Sequence, residues 1–82
     1  MRTLPVRIEP LAVAVNFPPD NASLVVRLAD GREISAPLTW FPRLSQATAE
    51  ERNTYSFIGG GIGIHWPLID EDLSVAGLLR AT

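Results

Sequence analysis

Apolar and polar residues alternate through the first half of the chain. From Leu11 onward, Leu11, Val13, Val15 and Phe17 fall on one face of an extended segment, the period-two signature of a half-buried strand. That strand is predicted over residues 6–17, with Pro10 at its start or at a sheet edge, where a missing N–H does no harm. Pro18-Pro19-Asp20-Asn21 predicts a turn. A second strand follows over residues 23–28, with Leu24, Val26 and Leu28 on one face. Asp30-Gly31 then lies between two alternating runs, the residue pair that a type I′ hairpin turn accepts at positive φ. The returning strand, residues 32–38, completes a three-stranded antiparallel meander.

A corner at residues 34–44 ends this pattern. Pro37 and Pro42 forbid one continuous element, and Trp40 and Phe41 between them bring much apolar surface. Pro42 suits the first turn of a short helix over residues 43–47. Thr48 reads as an N-cap, with Glu51 at capping-box spacing and Glu50 and Glu51 at the positive end of the dipole. Tyr55-Ser56-Phe57-Ile58 is a fourth strand, Gly59-Gly60-Gly61 a loop, and residues 62–66 a fifth strand stopped by Pro67. Asp70 or Ser74 is predicted to cap a terminal helix striped by Leu73, Ala76 or Gly77, Leu78 and Leu79. The predicted class is α+β: an antiparallel sheet of about five strands, made of the N-terminal meander plus a C-terminal hairpin, with two or three short helices.

Composition narrows the function classes. Eighty-two residues make one domain, residues 1–82, and a domain this small is stable by only about 5 kcal/mol. Cysteine is absent, so packing or self-association must supply the reinforcement, and a homodimer is expected. Net charge is −2, and the seven basic residues, all arginine, are scattered. An acidic chain without a basic run is a poor nucleic-acid binder on its own. No apolar run reaches the roughly 18 residues of a membrane span and no signal-peptide core is visible, so the cytoplasm is the expected address.

Three constellations invite chemistry. Gly59-Gly60-Gly61-Ile62-Gly63 lacks the Lys-Ser/Thr of a phosphate loop and the helix that a dinucleotide fingerprint opens, so it reads as a turn. His65, the single histidine, precedes Asp70, Glu71 and Asp72, the residue types of a general base with a carboxylate orienter. One histidine and solvated carboxylates are an incomplete zinc set, and no nucleophile motif accompanies them. The plainer reading is a structural histidine followed by helix-capping acids. Trp40, Phe41 and Trp66 could form an aromatic platform, although two tryptophans in so small a domain read first as core, each with its indole N–H on a backbone carbonyl. Arg43 is placed to pair with Asp70 or Asp72 across the fold.

Several pieces together resemble a known family. They are Asp30-Gly31-Arg32-Glu33-Ile34, then Pro37-Leu38-x-Trp40-Phe41-Pro42-Arg43-Leu44, then Ala47-Thr48-x-x-Glu51-Arg52. A tail piece follows, Gly63-Ile64-His65-Trp66-Pro67-x-x-Asp70-Glu71-Asp72-Leu73-Ser74-Val75-x-x-Leu78-Leu79. In order and spacing these resemble the small bacterial family known as domain of unknown function twenty-four forty-two, with the triple glycine as the departure. The resemblance implies an antiparallel α+β domain and carries over no catalytic residues. It also implies short proteins encoded beside another small gene, in an arrangement like a toxin–antitoxin pair, and others fused to a helix-turn-helix domain.

The expected function is therefore a non-catalytic, self-associating protein-interaction domain, antitoxin-like or regulatory, with a toxin-like neighbour as the expected partner and no cofactor or metal. Candidate contact residues are Trp40, Arg43, His65, Trp66, Asp70 and Asp72. The rival from another class is a small hydrolase or ligand-binding protein using His65 with Asp70 or Asp72. A weaker third reading is DNA binding through an arginine face built by dimerisation.

Overall fold

The computed structural model describes residues 10–20 and 22–81. The strand segment predicted over residues 6–9, and Asn21 in the predicted turn, lie outside the described residues. Strands Ala12–Asn16 (β1), Ser23–Leu28 (β2) and Glu33–Pro37 (β3) form the N-terminal antiparallel meander, in the order β1-β2-β3. Its buried face carries Leu24, Val26 and Leu28 from β2 and Ile34 and Ala36 from β3, as the alternation predicts.

β1 departs from its predicted stripe. The register pairs Ala12 with Leu28 but Ala14 with Arg27, so one extra residue is inserted between them. This bulge turns Ala12 into the core and leaves Val13 half exposed, while Val15 and Phe17 pack at the core's margin. The Asp-Gly hairpin differs as well. Gly31 takes φ +96° and Asp30 does not take positive φ, so the loop is not a type I′ turn. Leu28 N–H donates to the Arg32 carbonyl and Gly31 N–H to the Leu28 carbonyl, the three-residue loop with a glycine bulge.

The chain then leaves β3 through Pro37 into a 3-10 turn, Leu38–Trp40, and the short helix Pro42–Ser45 (α1). Helix Ala49–Asn53 (α2) is capped as predicted: Glu51 N–H donates to Thr48 Oγ1 at 3.1 Å and Thr48 N–H to Glu51 Oε1 at 2.8 Å. Strands Ser56–Ile58 (β4), Gly63–Trp66 (β5) and Glu71–Ser74 (β6) form a second antiparallel meander, and helix Val75–Ala81 (α3) follows.

The single sheet of about five strands is thus corrected to two sheets of three strands each. The residues behind the correction are the acidic ones. Asp70 takes φ +53°, a left-handed conformation that aspartate tolerates, and turns the chain straight back from β5. Glu71 to Leu73 consequently form a strand instead of capping a helix. Ser74, the other predicted cap, does cap α3, accepting the Gly77 N–H at 2.8 Å.

The two sheets share one core. Trp66 and Ile64 from β5 meet Leu24 and Leu28 from the first meander, Leu38 from the 3-10 turn, Leu44 from α1 and Val75 and Leu78 from α3. The sheets are also tied backbone to backbone, because Ala12 N–H donates to the Gly61 carbonyl at 2.8 Å. Gly61 has φ +122°, and a Cβ there would lie 2.6 Å from the Ala12 carbonyl oxygen. Glycine is required at that position by close approach of another strand, which is a structural answer to the triple glycine.

Candidate functional site

The corner and the β5–β6 hairpin come together on one side of the molecule. Leu38 anchors the 3-10 turn in the core, and this throws Trp40 outward, where it is 47% exposed. Phe41 stays half-buried and meets the Trp40 ring edge-on, with centroids 6.4 Å apart. Beside them runs a groove of about 230 Å3, walled by Trp40, Phe41, Leu73, Leu78, Ala81 and the exposed Asp72. The corner is also pinned to the hairpin, since Arg43 Nη1 donates to the backbone carbonyl of Asp70. The predicted partner residue is right and the atom is different, because the positive-φ turn aims that carbonyl at α1.

His65 and Asp72 face each other across β5 and β6, with imidazole Nδ1 against Asp72 Oδ1. Ile64 and Trp66 fill the core face of β5, so His65 lies on the outer face. Ser56 is the register partner of His65 on its other flank, in β4. Ser56, His65 and Asp72 therefore form one row across three strands on the outer face, a row that strand prediction without β6 could not produce. Asp70 is not in it. Among the described residues no group of three histidine, cysteine or acidic side chains could hold a metal ion. No helix among them is long and apolar enough to cross a membrane.

Trp66 belongs to the interior. It is fully buried, its Nε1–H donates to the Arg52 carbonyl at 2.9 Å, and Phe17 and Tyr55 pack against it with centroids 6.4 and 6.2 Å away. Its role as a contact residue is corrected accordingly, while Trp40, Arg43, Asp70, His65 and Asp72 are all placed along the corner and hairpin. Arg52 is the residue that sequence reasoning missed. Its guanidinium is buried, lies over the Phe17 ring at 5.6 Å, and donates to the carbonyls of Leu44 at 2.9 Å and Ser45 at 3.0 Å, closing the end of α1. The only available signal was its place in the last turn of the capped helix. Elsewhere, the Arg32 backbone N–H and then its guanidinium hold the Asp30 carboxyl below its ordinary pKa.

The fold is shared with other chains. A family model described as protein of unknown function, DUF2442, matches residues 12–82. The chain belongs to the DUF2442 family. This DUF2442 chain is similar to a protein of unknown function from Rhodospirillum rubrum ATCC 11170, known from a crystal structure, with a TM-score of 0.76 and 28% identity over 90% of this chain and 89% of that one. It is also similar to an uncharacterised protein of Chromobacterium violaceum solved by NMR in solution, with a TM-score of 0.72. That second likeness is 24% identical, covers 85% of this chain and 64% of the other, and shows the fold alone. No curated protein matches the DUF2442 chain.

Proposed function

We propose that the domain is a non-catalytic protein-interaction module in which the Trp40 groove receives an apolar side chain of a partner protein. The observation that carries this reading is Trp40 itself, a tryptophan held half in water by a rigid turn at the lip of an apolar groove. About half of its ~250 Å2 left in water corresponds to roughly 3 kcal/mol available on burial, the scale of an interface hot spot. Asp72 at the rim and the acidic turn beside it favour a partner whose apolar anchor is flanked by basic residues. The family context supports a cytoplasmic antitoxin-like or regulatory role, with the partner encoded by a neighbouring gene.

The test is co-expression with the product of the adjacent gene, followed by affinity purification. Co-purification that Trp40→Ala abolishes, with an unchanged circular dichroism spectrum, supports the reading. A partner retained by Trp40→Ala removes the groove from it. Failure to co-purify together with no rescue of growth removes the antitoxin role.

A second reading rests on the Ser56–His65–Asp72 row. In a small hydrolase, Asp72 would hold Nδ1, and Nε2 would take the Ser56 hydroxyl proton as Oγ adds to an ester carbonyl. The imidazolium would then return that proton to the departing alkoxide. This reading requires turnover of a small activated ester that both Ser56→Ala and His65→Ala eliminate while remaining folded. Wild-type turnover no faster than buffer dismisses it.

A further inference from the structure

Among the described residues, two three-stranded sheets present four outer edges, and three of them carry features that discourage pairing with another strand. β1 is bulged between Ala12 and Ala14, and its Ala12 N–H is already given to Gly61. β3 begins at Glu33 and ends at Pro37. β6 carries Glu71 and Asp72, so two copies meeting along it would set like charges against each other. β4 has none of these features. Its residues Ser56, Phe57 and Ile58 are uncharged, free of proline and exposed along the whole strand. It also lies within residues 53–64, the longest stretch of the chain without an ionisable acid or base of the Asp, Glu, Lys, Arg or His type.

We infer that β4 is the seam of a homodimer, pairing antiparallel with β4 of a second copy about a two-fold axis near Phe57. The pairing joins two three-stranded sheets into one of six strands and covers Phe57, Ile58 and the exposed Ile62 of the following turn. The occupant is a second copy because the edge complements itself. An antiparallel strand about a two-fold presents the same donors and acceptors in both directions, which is the isologous contact of closed dimers. Charge gives the second argument. Each chain carries −2, and the β4 edge sets no carboxylate against a second acidic copy. A three-residue ladder falls short of the ~1,200 Å2 of a standard interface, so the dimer is a weak one that dissociates on dilution.

This inference gives a place to the self-association expected from the sequence and does not use the Trp40 groove. Sedimentation equilibrium of the full chain, from micromolar to near-millimolar concentration, is expected to show a species of twice the 8.9 kDa chain mass that dissociates on dilution. Ile58→Lys is expected to weaken the association by at least about tenfold, because it places a charge in the seam, diagonal to the same lysine of the second copy. Val13→Lys, at a comparably exposed residue on the bulged edge, is expected to change it less than about twofold. Trp40→Ala should leave the dimer intact even where it releases a partner, so the two readings fail separately. Amide exchange of the wild-type chain serves as a measurement independent of any variant: protection of Ser56–Ile58 should rise with concentration. A monomer throughout the range, or a dimer in which these amides gain no protection, overturns the seam. So does a partner protein that protects them on a monomeric chain, since the edge would then be the partner's.

Discussion

The two meanders have the same topology and are specified by different means. β1–β3 are written in side chains: alternating Leu, Val and Ile put one face inward, and a one-residue slip would expose all of it. β4–β6 have little alternation to offer, with an exposed first strand, glycine at the start of β5 and acids in β6. That second sheet is held by backbone devices and one large anchor: the positive-φ turn at Asp70, the Gly61 contact to β1, and Trp66 with its buried indole bond. A sheet built by pattern tolerates the loss of one side chain better than a sheet built by a few fixed points.

The strongest way to break the comparison is at the anchor. Trp66→Ala is expected to cost about 4 kcal/mol, close to the whole stability of so small a domain, and to abolish cooperative unfolding in a urea titration. Leu24→Ala in the patterned sheet should cost about 3 kcal/mol and leave a residual native baseline. An equal loss from both would erase the distinction.

The next effect separates two neighbouring glycines. Gly61→Ala forces a Cβ into the Ala12 backbone at strained φ and is expected to cost roughly 3 kcal/mol. Gly60→Ala has φ +73° but open space around it, so only the conformational cost of about 1 to 2 kcal/mol applies. Thermal unfolding of the two variants measures the gap, which is the worth of the contact between the sheets.

Smaller, and opposite in sign, is the effect at the β5–β6 turn. Asp70→Gly relieves a non-glycine residue at φ +53° while keeping the carbonyl that Arg43 uses, so a stabilisation of up to about 1 kcal/mol is expected. A loss would mean that the Asp70 carboxylate works in the turn.

The smallest effect lies in the patterned sheet's own hairpin. The Asp30 carboxyl is held below its ordinary pKa by the Arg32 backbone N–H and guanidinium. A depressed carboxylate contributes stability above its unfolded-state pKa and loses it as pH falls through the folded value. Acid titration of Asp30→Asn should therefore show a shallower fall than wild type at the lowest pH values, with the two chains converging there. The pair lies at the surface, where solvent screens it, so the difference is slight.

What could be read beforehand follows the same division. Leu24, Val26, Leu28, Ile34 and the Thr48–Glu51 box were legible because their signals are local: alternation for the strands, spacing for the cap. β6 was not, because carboxylates before an apolar run signal a helix start as well as they signal an acidic edge strand. What decided between them was the backbone angle at Asp70, which composition does not reveal. The stripe through Val13 misled for a related reason, since a bulge reverses the inward side without altering the alternation. At the candidate site, the Arg43–Asp70 link was visible as a charge pairing and proved to be a side chain on a carbonyl. The Ser56–His65–Asp72 row needed the register of all three strands.

Arg52 gives one residue two allegiances. Its main-chain oxygen receives the Trp66 indole, while its guanidinium terminates α1, the helix that opens just after Trp40 and Phe41. Exchange for methionine would spare the first bond and strip the second set. The damage would then surface at a distance, as a loosened aromatic lip around an interior that still holds its tryptophan.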